Sequence, residues 1–146
     1  VLIEMLVYLS GLAVPVLQVH VEPEQWPGAA LVQSTAERIG QGRRVYVLTT
    51  EDSPAGMHAV STCSPVVVVT GGYFTACYAN AIHSLVENSG HRIVVIMPTR
   101  GVFVSDNRTL ADTIAHNPQR GRSMAAQILG SRAIHLGNYV VGVCGG

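Results

Sequence analysis

The chain has 146 residues, 48% of them hydrophobic and only 12% charged, with nine basic and nine acidic residues that cancel. That length suffices for one domain with its own core, while the charge balance excludes the basic excess of a nucleic-acid footprint and the cationic face that an anionic membrane attracts. Every basic residue is arginine, so a Schiff-base lysine, a P-loop lysine and a lysine base are excluded, and anion recognition falls to arginine and backbone N–H groups.

The charged fraction is well under the roughly 25% usual in soluble domains. A chain so sparsely charged is expected to cover part of its surface with copies of itself, as a homo-oligomer, or to belong to a larger protein. Residues 1–146 are read as a single α/β domain, with either end open to being a processing boundary. Three cysteines, Cys63, Cys77 and Cys144, make neither a disulfide framework nor a zinc motif. A reducing, cytoplasmic setting is expected from them. The apolar first twenty residues are interrupted by Glu4 and preceded by no basic residue, which suits neither a signal peptide nor a membrane span. Asn107-Arg108-Thr109 matches a glycosylation sequon of the kind that arises by chance.

In chain order, Leu2 to Leu12 carries a helical stripe of Leu2, Met5, Leu6 and Leu9, ended by Gly11, and a weaker strand-like alternation of Leu6, Tyr8 and Ser10; the short helix is the favoured reading. Val14 to Val21 alternates as a strand and stops at Glu22-Pro23-Glu24. His20, Glu22 and Glu24 would form a ligand set only if the strand ran through Pro23, which a central strand does not tolerate. Leu31, Val32, Thr35, Ala36 and Ile39 make a helix stopped at Gly40, and Val45 to Leu48 is the next strand. Residues 53–64 show no period and read as a long loop, a lid or a specificity segment.

The most informative stretch opens at Ser64-Pro65. Val66 to Val69 is continuous and β-branched, as in a strand buried on both faces. Gly71-Gly72 comes next, then a helix over Tyr73 to Asn88 with Phe74, Tyr78 (or Cys77), Ala81 and Leu85 inward and Asn80, His83, Ser84 and Glu87 outward, then Gly90 as a left-handed cap, then the strand Ile93 to Met97. Strand, helix and strand with short links predict a right-handed parallel crossover. Beyond it, Val102 to Val104 is a brief extended piece, and Ser105 or Asp106 is placed to cap a helix through Leu110 and Ile114. Asn117-Pro118 breaks that helix, a further one carries Met124, Ala125, Ile128 and Leu129, and Tyr139 to Val143 is the last strand. The fold expected is a three-layer α/β domain with a mostly parallel sheet, Rossmann-like in outline but without a dinucleotide fingerprint.

Ligands of open α/β sheets bind beyond the carboxyl ends of the strands. Those ends deliver Asp52, then Thr70, Gly71 and Gly72, then Thr99 and Arg100. Glycines entering a helix can hold an anion on bare N–H groups, with Thr70 adding a hydroxyl and Arg100 a bidentate cation. The competing reading of Gly71-Gly72 is a plain tight turn. Asp52 would bind ribose, hold magnesium through water or act as a base, or else cap local backbone. Cys63 with His58 is the alternative catalytic pair, whereas Cys77 and Cys144 read as core residues. Arg108, Arg120 and Arg122 form a basic rim or a solvated helix face. His83 with Glu87, and Asp112 with His116, are spaced as helix-surface pairs. No metal motif is present in the sequence, and no cofactor is specified by it.

Three functions compete on this basis. The first is binding, with or without conversion, of a small anionic ligand such as a nucleotide or sugar phosphate, held by Thr70, Gly71, Gly72, Thr99 and Arg100 with Asp52 on the wall. The second is a non-catalytic oligomeric scaffold. The third is a thiol enzyme using Cys63 and His58.

Overall fold

A computed structural model of the chain describes residues 16–19, 45–48, 66–71, 73–74, 78–90, 92–105 and 108–145. The predicted elements at Leu2 to Leu12 and Leu31 to Ile39 and the loop at 53–64 lie outside these residues. The strands are β1 (Val16–Val19), β2 (Val45–Leu48), β3 (Val66–Gly71), β4 (Ile93–Pro98), β5 (Phe103–Ser105), β6 (Arg108–Thr109), β7 (Ile134–Leu136) and β8 (Tyr139–Cys144). Among the described residues the α-helices are α1 (Ala79–Ser89), α2 (Leu110–His116) and α3 (Pro118–Leu129), and a 3-10 turn spans Thr99–Gly101.

Six strands form one sheet in the order β2-β1-β3-β4-β8-β7. β1 runs parallel to both β2 and β3, and β3 parallel to β4 with Val67 opposite Val95. β8 runs antiparallel to β4, from Ile93 opposite Cys144 to Pro98 opposite Tyr139, and β7 runs antiparallel to β8. The sheet is therefore mixed, and the expected mostly parallel, three-layer, Rossmann-like domain is not what forms. The reason is local. Leu136-Gly137-Asn138-Tyr139 is a two-residue hairpin, with Gly137 at φ 59°. A hairpin of that length can only join antiparallel strands. Apolar continuity along Tyr139 to Cys144 reports burial, and burial carries no information about strand direction.

The layering differs from expectation for a related reason. Val67 and Val69 of β3, Ile93, Val95 and Met97 of β4, and Val140 and Cys144 of β8 project to one face of the sheet. They form a single core with Ala81, Ile82 and Leu85 of α1, Leu110 of α2, and Ala125 and Leu129 of α3. All three described helices thus cover the same face. Among the described residues there are two layers.

The helices obey their local chemistry. α1 buries Ala81 and Leu85, with Phe74 and Tyr78 continuing the inward line before it, and ends at Gly90 in the left-handed region with φ 69°. It starts later than its sequence pattern suggests, at Ala79. Before it, the Tyr78 N–H donates to the Tyr73 carbonyl at 3.0 Å, an i to i+5 bond of the π type. The Tyr78 ring stacks on Phe74 with centroids 6.0 Å apart, and its hydroxyl donates to the Val69 carbonyl at 2.9 Å. His83 and Glu87 pair on the exposed face at 3.0 Å, as their spacing predicts. α2 is capped by neither Ser105, which ends β5, nor Asp106, which is outside the described residues. Thr109 caps it instead: its hydroxyl accepts from the Asp112 N–H at 3.2 Å while the Asp112 carboxylate accepts from the Thr109 N–H at 2.9 Å. Asn117 caps α3, with Pro118 in the first turn, where its missing N–H costs nothing. No helix among the described residues is long and apolar enough to cross a membrane.

Two measurements check this packing. A Cβ placed on Gly142 would lie 2.6 Å from the Leu129 carbonyl oxygen and 2.7 Å from the Leu129 Cβ. Gly142→Ala must therefore push α3 off β8, and urea unfolding should show a loss of about 1–3 kcal/mol, the usual cost of overpacking. His135 faces the helical side, where burial and then the Arg122 guanidinium push its pKa below the ordinary value of 6.5. A histidine that protonates less readily when folded favours the unfolded chain in acid. The melting temperature of the wild type should fall more than that of His135→Gln as pH drops through and below about 6.5, with the two curves running parallel above neutrality.

Candidate functional site

The carboxyl end of β3 and the carboxyl end of β4 lie side by side because the two strands are parallel neighbours. The segments that leave these two strand ends are stitched to each other. The Thr70 hydroxyl donates to the Gly101 carbonyl at 3.2 Å. Tyr73 forms a parallel bridge with Phe103, just past the 3-10 turn. A third segment closes on them from the hairpin. The Asn138 carbonyl accepts from both the Thr99 N–H at 2.8 Å and the Thr99 hydroxyl at 3.0 Å. The Leu110 N–H, at the head of α2, donates to the Val102 carbonyl at 2.9 Å. Thr70, Gly71 and Tyr73 thus form one fastened edge with residues 99–103 and 137–139.

Within that edge the side chains divide sharply. Thr70 is fully buried, Thr99 is 3% exposed, and both hydroxyl protons are spent on backbone carbonyls. They hold the edge together. Gly71 ends β3 with φ 91°, a conformation that turns the chain abruptly and that L side chains rarely adopt. Arg100 projects into solvent from the middle of the 3-10 turn. Of the residues singled out in the sequence, Thr70, Gly71, Thr99 and Arg100 are brought together here. Gly72, Asp52, His58 and Cys63 lie outside the described residues. The helix start expected at Tyr73 is displaced, since α1 begins at Ala79 after the π-type turn.

Asn138 was not legible as a member of this edge. The signal available was the dipeptide Gly137-Asn138 between two short apolar runs, which marks a hairpin tip. Recognising it would have placed Asn138 beside Pro98 through the Tyr139 pairing.

Two concavities among the described residues lie elsewhere. One of about 630 Å³ opens between α1 and the end of α3, over the last residues of β8, and is lined by Ile82, His83, Val86, Ile128, Val143 and Cys144. Cys144 pairs with Ile93, the first residue of β4, so this opening lies at the other end of β4 from Arg100. Burial pushes the Cys144 thiol up from its ordinary pKa, which keeps it a neutral core group. The other, about 530 Å³, is a shallow surface formed by Arg108, Asp112, Ala115 and His116, where the Asp112 carboxylate already serves the α2 cap. No group of three metal-ligating side chains occurs among the described residues.

Removing the Thr70 hydroxyl leaves the Gly101 carbonyl without this donor in a buried setting. Thr70→Val, close in shape, should therefore lose about 1–3 kcal/mol in chemical denaturation, the cost of an orphaned buried acceptor. A variant as stable as the wild type would show that this bond does not fasten the edge. No family model, curated protein or solved structure matches the chain.

Proposed function

We propose that the chain binds a small anionic ligand of the nucleotide or sugar-phosphate class at the carboxyl edge of β3 and β4. The observation that supports it is the fastening itself. The Thr70 to Gly101 bond and the Tyr73 to Phe103 bridge hold the glycine turn after β3 beside the exposed Arg100. A fastened backbone segment next to an exposed arginine is a favourable arrangement for a phosphate or carboxylate, because the main chain is held before the ligand arrives and the guanidinium can swing onto the anion. Arginine is the only cationic side chain besides histidine that this sequence can offer. Gly72 follows Gly71 in the sequence, and a residue without a Cβ is the kind that lets an anion approach the main chain. Any conversion of the ligand would fall to Asp52, which the sequence places after β2. The odd number of cysteines favours a reducing compartment such as the cytoplasm.

The test is calorimetric titration of the full chain with inorganic phosphate, sugar phosphates and nucleotides. Arg100→Ala should weaken the ligand that binds by roughly 1.5–3 kcal/mol, about ten- to a hundred-fold in Kd, with the fold intact by circular dichroism. Arg100→Lys should recover only part of that loss, since an ammonium cannot make the bidentate contact. An anion that binds the Arg100→Ala variant as well as the wild type would place the site elsewhere.

A further inference from the structure

Among the described residues nothing pairs with the outer edge of β7, and part of the sheet face beside it is exposed. β7 ends the strand order of the six-stranded sheet, with β8 on its inner side. Its hairpin fixes which backbone groups point out. A two-residue turn closes on a hydrogen-bonded pair, here Leu136 with Tyr139, and bonded pairs alternate along an antiparallel ladder. Ile134 and Leu136 therefore spend their N–H and C=O groups on β8, and those of His135 point away from it.

The side chains of this edge sort by face. Ile134 pairs with Val141 and Leu136 with Tyr139, and Val143 continues the same face two residues beyond Val141. This is the face opposite the described helices. Ile134 is 57% exposed and Val143 59% exposed, the large hydrophobic residues most open to solvent among the described ones, and Val141, Leu136 and Val94 around them are half-buried. Neither β7 nor β8 carries a charged side chain, and no proline blocks the edge. Natural edge strands are usually blunted by lysine, proline, a bulge or an inward charge. This one has only its shortness.

We propose that β7 pairs with β7 of a second copy of this chain across a two-fold axis through His135. The choice of a second copy follows from the geometry of the edge. An antiparallel strand edge is complementary to itself under a two-fold rotation, so the same groups serve on both sides. The apolar patch has no charge with which to select an ionic partner, and a chain of zero net charge does not repel its own copy. The register is fixed by the outward groups. His135 of one copy exchanges two backbone hydrogen bonds with His135 of the other. Ile134 then stands opposite Leu136 of the second copy, and Leu136 opposite Ile134, as the non-bonded pairs that flank the axis. On the face away from the helices, Val143, Val141 and Ile134 of one copy run on into Leu136, Ile134, Val141 and Val143 of the other as one apolar strip. The two six-stranded sheets become a single continuous sheet.

Light scattering on the eluting full chain should give the mass of two chains at micromolar concentration. Ile134→Lys, which sets a cation in the strip, and His135→Pro, which removes the outward N–H, should each give the mass of one chain with an unchanged far-ultraviolet spectrum. Because His135→Pro can also damage the hairpin, a second measurement reads the register without relying on it. The flanking pairs lie at about the 4.5 Å Cα separation of non-bonded antiparallel neighbours, within disulfide range. An equimolar mixture of the Ile134→Cys and Leu136→Cys chains should form the mixed disulfide dimer under mild oxidation, well above either chain alone and above the background set by the native cysteines. A wild-type chain that elutes as a monomer overturns the proposal. So does a dimer that survives Ile134→Lys, or a mixture that cross-links no better than its separate components.

Discussion

β4 is buried along nearly its whole length, from Ile93 to Pro98. A buried backbone N–H or C=O that finds no partner costs as much as a lost hydrogen bond, so such a strand requires a ladder on each side. β3 supplies one, and β8 supplies the other. The chain reaches that second position indirectly. After α3 it lays down β7 one place too far out, then folds β8 back into the gap through Gly137 and Asn138. Much of the rest depends on this insertion. β8 must pass directly beneath Leu129, which is why residue 142 is a glycine. The hairpin tip must land at the end of β4, which is where the Asn138 carbonyl takes up Thr99.

The edge that results changes what its hydroxyls do. A threonine at a strand end beside a glycine turn reads naturally as a ligand donor. In the folded chain the Thr70 and Thr99 protons go to Gly101 and Asn138, in places where water cannot replace the bond. Burial decides between the two roles. A donor used for recognition must be exposed until the ligand comes, and these two are not. Among the described residues that join these two strand ends, the side chain that remains outward is Arg100. The threonines accordingly act by fixing the segments that leave β3 and β4 against each other.

How much of this was legible in the sequence depended on whether the signal was local. The four-valine run, the amphipathic line of Phe74, Tyr78, Ala81 and Leu85, and Gly90 as a cap all state their structure within one turn or one strand. The pairing of β3 with β4 came from short links around a helix. The cap of α2 was misassigned because Ser105 and Asp106 offer the same side-chain chemistry as Thr109, and only the reciprocal Asp112 bond distinguishes them. The direction of β8 could not be read from its own residues, since a strand buried between two neighbours is apolar whichever way it runs. It was written in Gly137-Asn138, outside the strand. The position of Asn138 in the candidate site was hidden for the same reason: it depends on a pairing between residues 98 and 139.

The low charge of the chain also acquires a location. The exposed charged residues among those described, Glu87, Arg92, Arg100, Arg108, Asp112, Arg120, Arg122 and Arg132, lie on the helices and on the turns or strand ends beside them, and none falls on β7 or β8. A uniformly dilute surface would leave single apolar residues scattered among charges, which is the ordinary state of a protein exterior. Here the dilution is concentrated. Ile134, Val141 and Val143 adjoin one another across a two-strand hairpin and share a face with Val94 of β4. Contiguity is what separates a surface that merely tolerates apolar side chains from one that gains by covering them, because the free energy of burial grows with the area removed from water in one event. The same hairpin that satisfies the backbone of β4 on its inner side therefore presents both an open ladder and an uncovered apolar strip on its outer side.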